Sequence, residues 1–150
     1  MIVKIVRHNY IHYKVYYDSD LSYEIVNNGK FWTDIFSLYT PGRELLASYK
    51  EHRYVILNKR RLHLFEFDQI VDIEYRKSGF RFVLNYACYE LRYGLSNFKG
   101  FYYNDELVAT LSVKSQSLGV YEKEVSVLKD IPYFHLFIIF YVAIDCFDVN

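Results

Sequence analysis

Apolar and polar positions alternate along most of this chain. Residues 2–6 and 10–17 alternate, the second stretch reading YIHYKVYY, and LSYEIV and FWTDIFSLY follow. A period of two places successive side chains on opposite faces of a strand. Asn27-Asn28-Gly29-Lys30 separates the last two stretches, and its Asn-Gly pair predicts a tight hairpin turn with positive φ angles. Thr40-Pro41-Gly42-Arg43 predicts a further turn. ELLASYKE, RYVILNK, LHLFEF and QIVDIEYR read as strands, as does FRFVLNYACYELRY after Ser78-Gly79. FKGFYY, a turn at Asn104-Asp105, ELVATLSVK and VYEKEVSVL complete the series. About 11–12 strands, spaced roughly eight to twelve residues apart, predict an antiparallel sandwich or barrel. Residues 1–150 carry no linker, low-complexity segment or internal repeat and read as a single domain.

The pattern changes at IPYFHLFIIFYVAI, residues 131–144. A spanning helix needs about 20 consecutive apolar residues. This run has 14, contains Pro132 and His135, and is bounded by Lys129-Asp130 and Asp145. It is too short to span, and no basic cluster follows to hold it at an interface. Residues 131–147 therefore predict a helix with Asp130 as its cap and Pro132 in the first turn, where the missing N–H has no partner. Apolar residues occupy every face of it, so it is buried on every face. The rest of the domain must enclose it.

Composition supports strands. Of 150 residues, 52% are apolar and 20% aromatic, with 17 Tyr and 12 Phe, a content that suits pleated, half-buried surfaces and excludes disorder. Lys and Arg total 18, as do Asp and Glu, so no global field draws the chain toward nucleic acid or an anionic bilayer. Cys88 and Cys146 form no metal or redox motif, lie in apolar runs and read as buried, reduced thiols. Lys4 and Arg7 interrupt the first apolar stretch, which is not a secretory signal. The expected compartment is the cytoplasm.

The segment from Asn104-Asp105-Glu106 through Leu107-Val108-Ala109-Thr110-Leu111-Ser112-Val113-Lys114, then Tyr121, Val125-Ser126-Val127 and Asp130, leads to a helix ending on Val142-Ala143-Ile144-Asp145. A polar turn, an aliphatic strand, a further strand and a last hydrophobic helix resemble the tubby C-terminal, LURP-one-related and phospholipid scramblase superfamily. The likeness covers about a third of the chain. It implies a closed antiparallel β-barrel wrapped around the helix at 131–147, with no exposed sheet edge.

Catalytic and metal chemistry find little support. In one strand, His8 and His12 would lie about 13 Å apart, too far to share a metal. His52 and His63 stand alone, and His135 reads as a core histidine hydrogen-bonded to a strand. Tyr93-Gly94-Leu95-Ser96-Asn97-Phe98 lacks the second glycine and the strand–turn–helix context of a nucleophile elbow. No glycine-rich phosphate loop occurs, and the sequence implies no cofactor and no enzyme. Glu66-Phe67-Asp68 and Asp72-Ile73-Glu74 read as solvated strand faces.

Two binding functions remain. A neutral domain rich in Tyr, Phe, Ile, Asn and Lys fits a non-enzymatic bacterial protein acting through a protein–protein interface, such as an immunity protein that neutralises a toxin. Tyr10, Tyr13, Tyr16 and Tyr17 are its candidate interface aromatics. Lys59, Arg60 and Arg61, with Arg53 nearby, are the one local charge excess and are expected at a hairpin tip. The resemblance gives them the alternative role of binding phosphoinositide or other anionic lipid headgroups, for which several basic residues at about 1 kcal/mol each are needed.

Overall fold

This computed structural model describes residues 1–9, 11–29, 33–53, 58–76, 79–94, 99–117 and 120–146, with the backbone alone at 53, 58, 112–117, 120, 121, 145 and 146. The alternating stretches become strands: β1 (Ile2–Arg7), β2 (His12–Tyr17), β3 (Asp20–Asn27), β4 (Thr33–Tyr39) and β5 (Leu45–Arg53). They continue with β6 (Asn58–Leu64), β7 (Gln69–Asp72), β8 (Glu74–Arg76), β9 (Gly79–Leu84) and β10 (Ala87–Tyr93). The last are β11 (Lys99–Tyr103), β12 (Glu106–Ser117) and β13 (Val120–Val127). All lie in one antiparallel sheet ordered β7-β6-β5-β4-β3-β2-β1-β13-β12-β11-β10-β9-β8. β1 pairs with β13, Ile2 opposite Ser126.

The two ends of the sheet are consecutive in the chain. QIVDIEYR, expected as one strand, divides at Ile73. Its first half pairs with β6 (Arg61 opposite Asp72) and its second with β9 (Glu74 opposite Arg81). Ile73 is buried and its N–H donates to the Arg60 carbonyl, 3.0 Å. That anchor turns the chain from one partner to the other and nearly closes the barrel. FRFVLNYACYELRY also divides, at Asn85-Tyr86, into β9 and β10.

Three two-residue hairpins set the register: Asp18-Ser19, Asn85-Tyr86 and Asn104-Asp105. Every one of these six residues has positive φ, as the right-twisting type I′ turn requires. The Asn-Gly pair does not form the expected turn, because neither Asn28 nor Gly29 has positive φ. The Asn27 side chain instead accepts from the Gly29 N–H (2.9 Å), and the Asn28 N–H donates to the Ile35 carbonyl (2.8 Å). Glycine is needed at 29 for space, since a Cβ there would lie 2.5 Å from the Thr33 carbonyl oxygen. The turn at 40–43 forms as expected, with the Arg43 N–H bonded to the Thr40 carbonyl (2.9 Å). In the expected strand RYVILNK, residues 54–57 lie outside the described residues.

The interior is filled by α1 (Phe134–Tyr141), all eight of whose residues are buried, continued by a π-helical turn at Val142–Cys146. The helix begins later than expected and Asp130 does not cap it. Tyr133 holds the N-cap position in the left-handed region, φ 58°, with no side-chain cap bond. Pro132 precedes the helix, and its carbonyl accepts from the Tyr89 hydroxyl at 2.9 Å. Inward strand aromatics meet the helix around its girth. Phe101 stacks on Phe137 (centroids 4.6 Å apart), Phe82 meets Phe140 edge-on (5.5 Å), and Tyr17 meets Phe134 (6.5 Å). This burial, on all faces, is what an apolar run without a polar stripe requires.

Cys88 is a free thiol, but half-buried rather than buried. It stands on the outer face of β10 opposite Val83, 3.5 Å from the Glu90 carboxylate. Burial, then Glu90, pushes its pKa up. The Cys146 side chain lies outside the described residues.

Candidate functional site: the outer wall of the barrel

Because the helix occupies the centre, the inward charges are committed to structure. Arg60 and Glu51 face inward from β6 and β5, their Nε and Oε1 3.0 Å apart, with the Arg60 guanidinium 5.2 Å from the Phe80 ring centre. The buried Tyr49 hydroxyl lies in the field of this pair and of Asp34; burial first, and then Glu51, push its pKa up. Beyond the other end of β6, the His135 Nε2 lies 2.7 Å from the Glu66 carboxylate, and the Tyr23 ring stacks on the imidazole. Burial lowers the His135 pKa and Glu66 opposes that shift. Against a carboxylate, which only accepts, the His135 Nε2–H is the donor. His135 is a core residue as expected, though its partner sits in the turn after β6 rather than on a strand.

Several expected contact residues take other places. Lys59, Arg60 and Arg61 lie within β6, not at a hairpin tip. A strand splits three consecutive residues between two faces, so Arg60 points in while Lys59 and Arg61 point out. Arg53 ends β5, and its side chain lies outside the described residues, as does all of Tyr10. Tyr13 is buried against Phe36 (6.1 Å between centroids), and Tyr17 packs on Tyr23 with its hydroxyl buried. Tyr16 alone of the four tyrosines faces outward among the described residues, half-buried opposite Lys4. The resemblance to a nucleophile elbow at 93–98 falls largely outside the described residues.

The strand register shows what the outer wall carries. One row runs across six strands: His12, Val26, Ser37, Ser48, His63 and Ile70. Beside it run Ile35, Lys50, Arg61 and Asp72, then Thr33, His52 and Lys59. Lys50, Lys59 and Arg61 form a basic field on β5 and β6. Its one acid, Asp72, binds Arg61 at 3.2 Å between exposed side chains, a pair worth little in water. Lys50 was not legible as a contact residue until strand alternation placed it beside Arg61.

At the edge of this field, exposed apolar groups gather where β7 lies beside β9. Ile70 is 61% exposed, Val83 50% and Phe65 41%, Phe65 stacking on His63 at 4.0 Å. Tyr86 projects fully from the β9–β10 hairpin.

On the opposite flank of the wall, a cleft of about 750 Å³ opens between the β1–β2 connection, β3 and the turn after β4. Lys14, Glu24 and Tyr39 stand in one register row along it, and Arg43 follows in the turn. His8 and His12 do not share a strand, contrary to expectation. The His8 N–H donates to the His12 carbonyl across the connection (3.0 Å), and both residues line the cleft. Among the described residues, no group of three or more His, Cys, Asp or Glu side chains is placed to hold a metal, and no helix is long and apolar enough to cross a membrane.

Comparison with protein-family models, curated proteins and solved structures found no match for this chain.

Proposed function

We propose that this chain is a non-enzymatic cytoplasmic binding protein that occupies the surface of a protein partner with its outer wall, in the manner of an immunity protein that blocks a toxin. One observation carries the reading: unspent binding groups, both basic and apolar, collect on the wall from β5 to the β9–β10 hairpin. Lys50 and Lys59 are exposed cations without an ion-pair partner among the described residues, and Phe65, Ile70, Val83 and Tyr86 are exposed apolar groups on the same wall, around β7 and β9. An apolar cluster rimmed by charge suits a protein interface, and the basic rim selects an acidic partner surface. The half-exposed free thiol of Cys88 fits a reducing compartment.

The field of Lys50, Lys59 and Arg61 also favours a second reading, the anionic headgroups implied by the resemblance to tubby-like domains. One triple variant separates the two. Lys50→Glu, Lys59→Glu and Arg61→Glu together leave the inward Arg60–Glu51 pair intact, so folding should persist. Co-expression with the product of an adjoining gene should give a stoichiometric complex on size-exclusion chromatography, and the triple variant should weaken it by at least tenfold. Sedimentation with phosphatidylserine vesicles that is lost in the same variant, with no protein complex in either form, would replace the first reading by the second. Substrate turnover abolished by a single side-chain change in a folded protein would overturn both.

A further inference from the structure

We propose that the cleft between the β1–β2 connection and the turn after β4 is a binding site for a small organic anion, a phosphate or carboxylate carried on an apolar body. This site is separate from the basic field on β5 and β6 and stands whether or not that field docks a protein. At about 750 Å³ the cleft has the volume of a small-molecule site, several times what a bare phosphate fills.

Its charged groups are unspent. The Lys14 and Arg43 side chains make no ion pair or hydrogen bond among the described residues. Glu24 is directly opposite Lys14 in the ladder, yet the two form no ion pair. Two cations against one carboxylate leave the lining positive, and the cations keep their hydrogen-bonding capacity for a guest. Arg43 can meet a planar oxyanion with two parallel N–H groups.

The connection at residues 8–11 fixes a further donor. The Asn9 Oδ1 accepts from the N–H groups of Ile11 and His12, both at 2.9 Å. That settles the amide orientation, so the Asn9 Nδ2 must be the donor toward the His12 Nδ1, 3.2 Å away. With Nδ1 accepting, the ring proton of neutral His12 is on Nε2. The side chain therefore offers an N–H held in place by its own turn, before any ligand arrives. Preorganised donors of this kind cost little ordering on binding. Between the His12 side and the Arg43 side lie Val26 and the half-buried Tyr39, which would support the ligand's carbon body.

The test uses phenyl phosphate, benzoate and benzyl alcohol, which share one ring and differ in charge, titrated into the ¹⁵N-labelled protein at constant ionic strength. Phenyl phosphate or benzoate should shift the amides of residues 8–14, 24–28 and 39–43 along a saturable curve, and which of them binds tighter identifies the anionic group. Benzyl alcohol should not saturate. Lys14→Gln and Arg43→Gln should each weaken binding about tenfold, while Glu24→Gln should tighten it severalfold, an effect in the opposite direction that a folding defect would not produce. Absence of saturation with both anions, equal binding of benzyl alcohol, or affinities unmoved by the three substitutions would overturn the proposal.

Discussion

Tyr86 is a bulky residue held at φ 65° with its whole side chain in water. The left-handed region costs a residue bearing a Cβ about 1–2 kcal/mol relative to glycine, and no buried contact offsets that here. Tyr86→Gly, which completes an Asn-Gly type I′ turn, should stabilise the protein by about 1 kcal/mol in urea unfolding. A loss of stability would mean that the ring makes contacts in the folded monomer. If the wall docks a protein as proposed, the same variant should weaken that complex, because strain kept at an exposed aromatic fits recognition better than folding. His135 carries a second residue-scale expectation. Burial depresses its folded pKa below the ordinary 6.5, so the unfolded chain takes up this proton more readily. Its contribution is complete above pH 6.5 and is lost as pH falls through 6.5 toward the folded value. Urea unfolding at pH 7.5 and 5.0 should show a steeper acid loss in the natural protein than in His135→Asn, by at most about 1.4 kcal/mol per pH unit. Equal slopes would show that this imidazole does not set the acid sensitivity.

At the level of elements, the central helix is the most demanding of its surroundings. Ile138 is fully buried. Replacing it with Asp would strand a carboxylate in the apolar core, at a cost of several kcal/mol that consumes most or all of the margin of a typical domain. Ile138→Asp should yield no soluble folded protein, and unchanged melting would contradict the enclosed helix. This element was legible because its signal is one-dimensional: an apolar run with no polar stripe can only be enclosed. The strands were legible for the same reason, through their period of two. Positions set by distant residues were not. Nothing local distinguishes Arg60 from Lys59 and Arg61; the inward Glu51 on the neighbouring strand does. QIVDIEYR looks uniform, and its division at Ile73 depends on which strands lie on either side. Asn28-Gly29 carries the strongest local hairpin signal, but here a wider connection uses the glycine to let Thr33 approach. The cleft joins residues of three connections, so no stretch of sequence displays it.

For the whole molecule, a formal charge of zero conceals an uneven distribution. Lys50, Lys59 and Arg61 cluster on the outer face of β5 and β6, while Glu51, the acid of those strands, is turned inward. Association through the wall should therefore depend on salt even though the protein has no net field.

The order in which the parts are made carries a further consequence. Translation delivers all thirteen strands before residues 134–146, which fill the space between them. β1, the first strand to emerge, also waits for β13 before both its edges are paired. On the ribosome the sheet would therefore exist for a time as a set of aromatic ribbons with nothing to fold upon. Such ribbons are sticky and form their long-range pairings slowly. Productive folding must then wait until residues 134–146 reach the sheet, and holding the nascent chain apart from its neighbours until that point becomes a requirement of this architecture rather than an accident of expression.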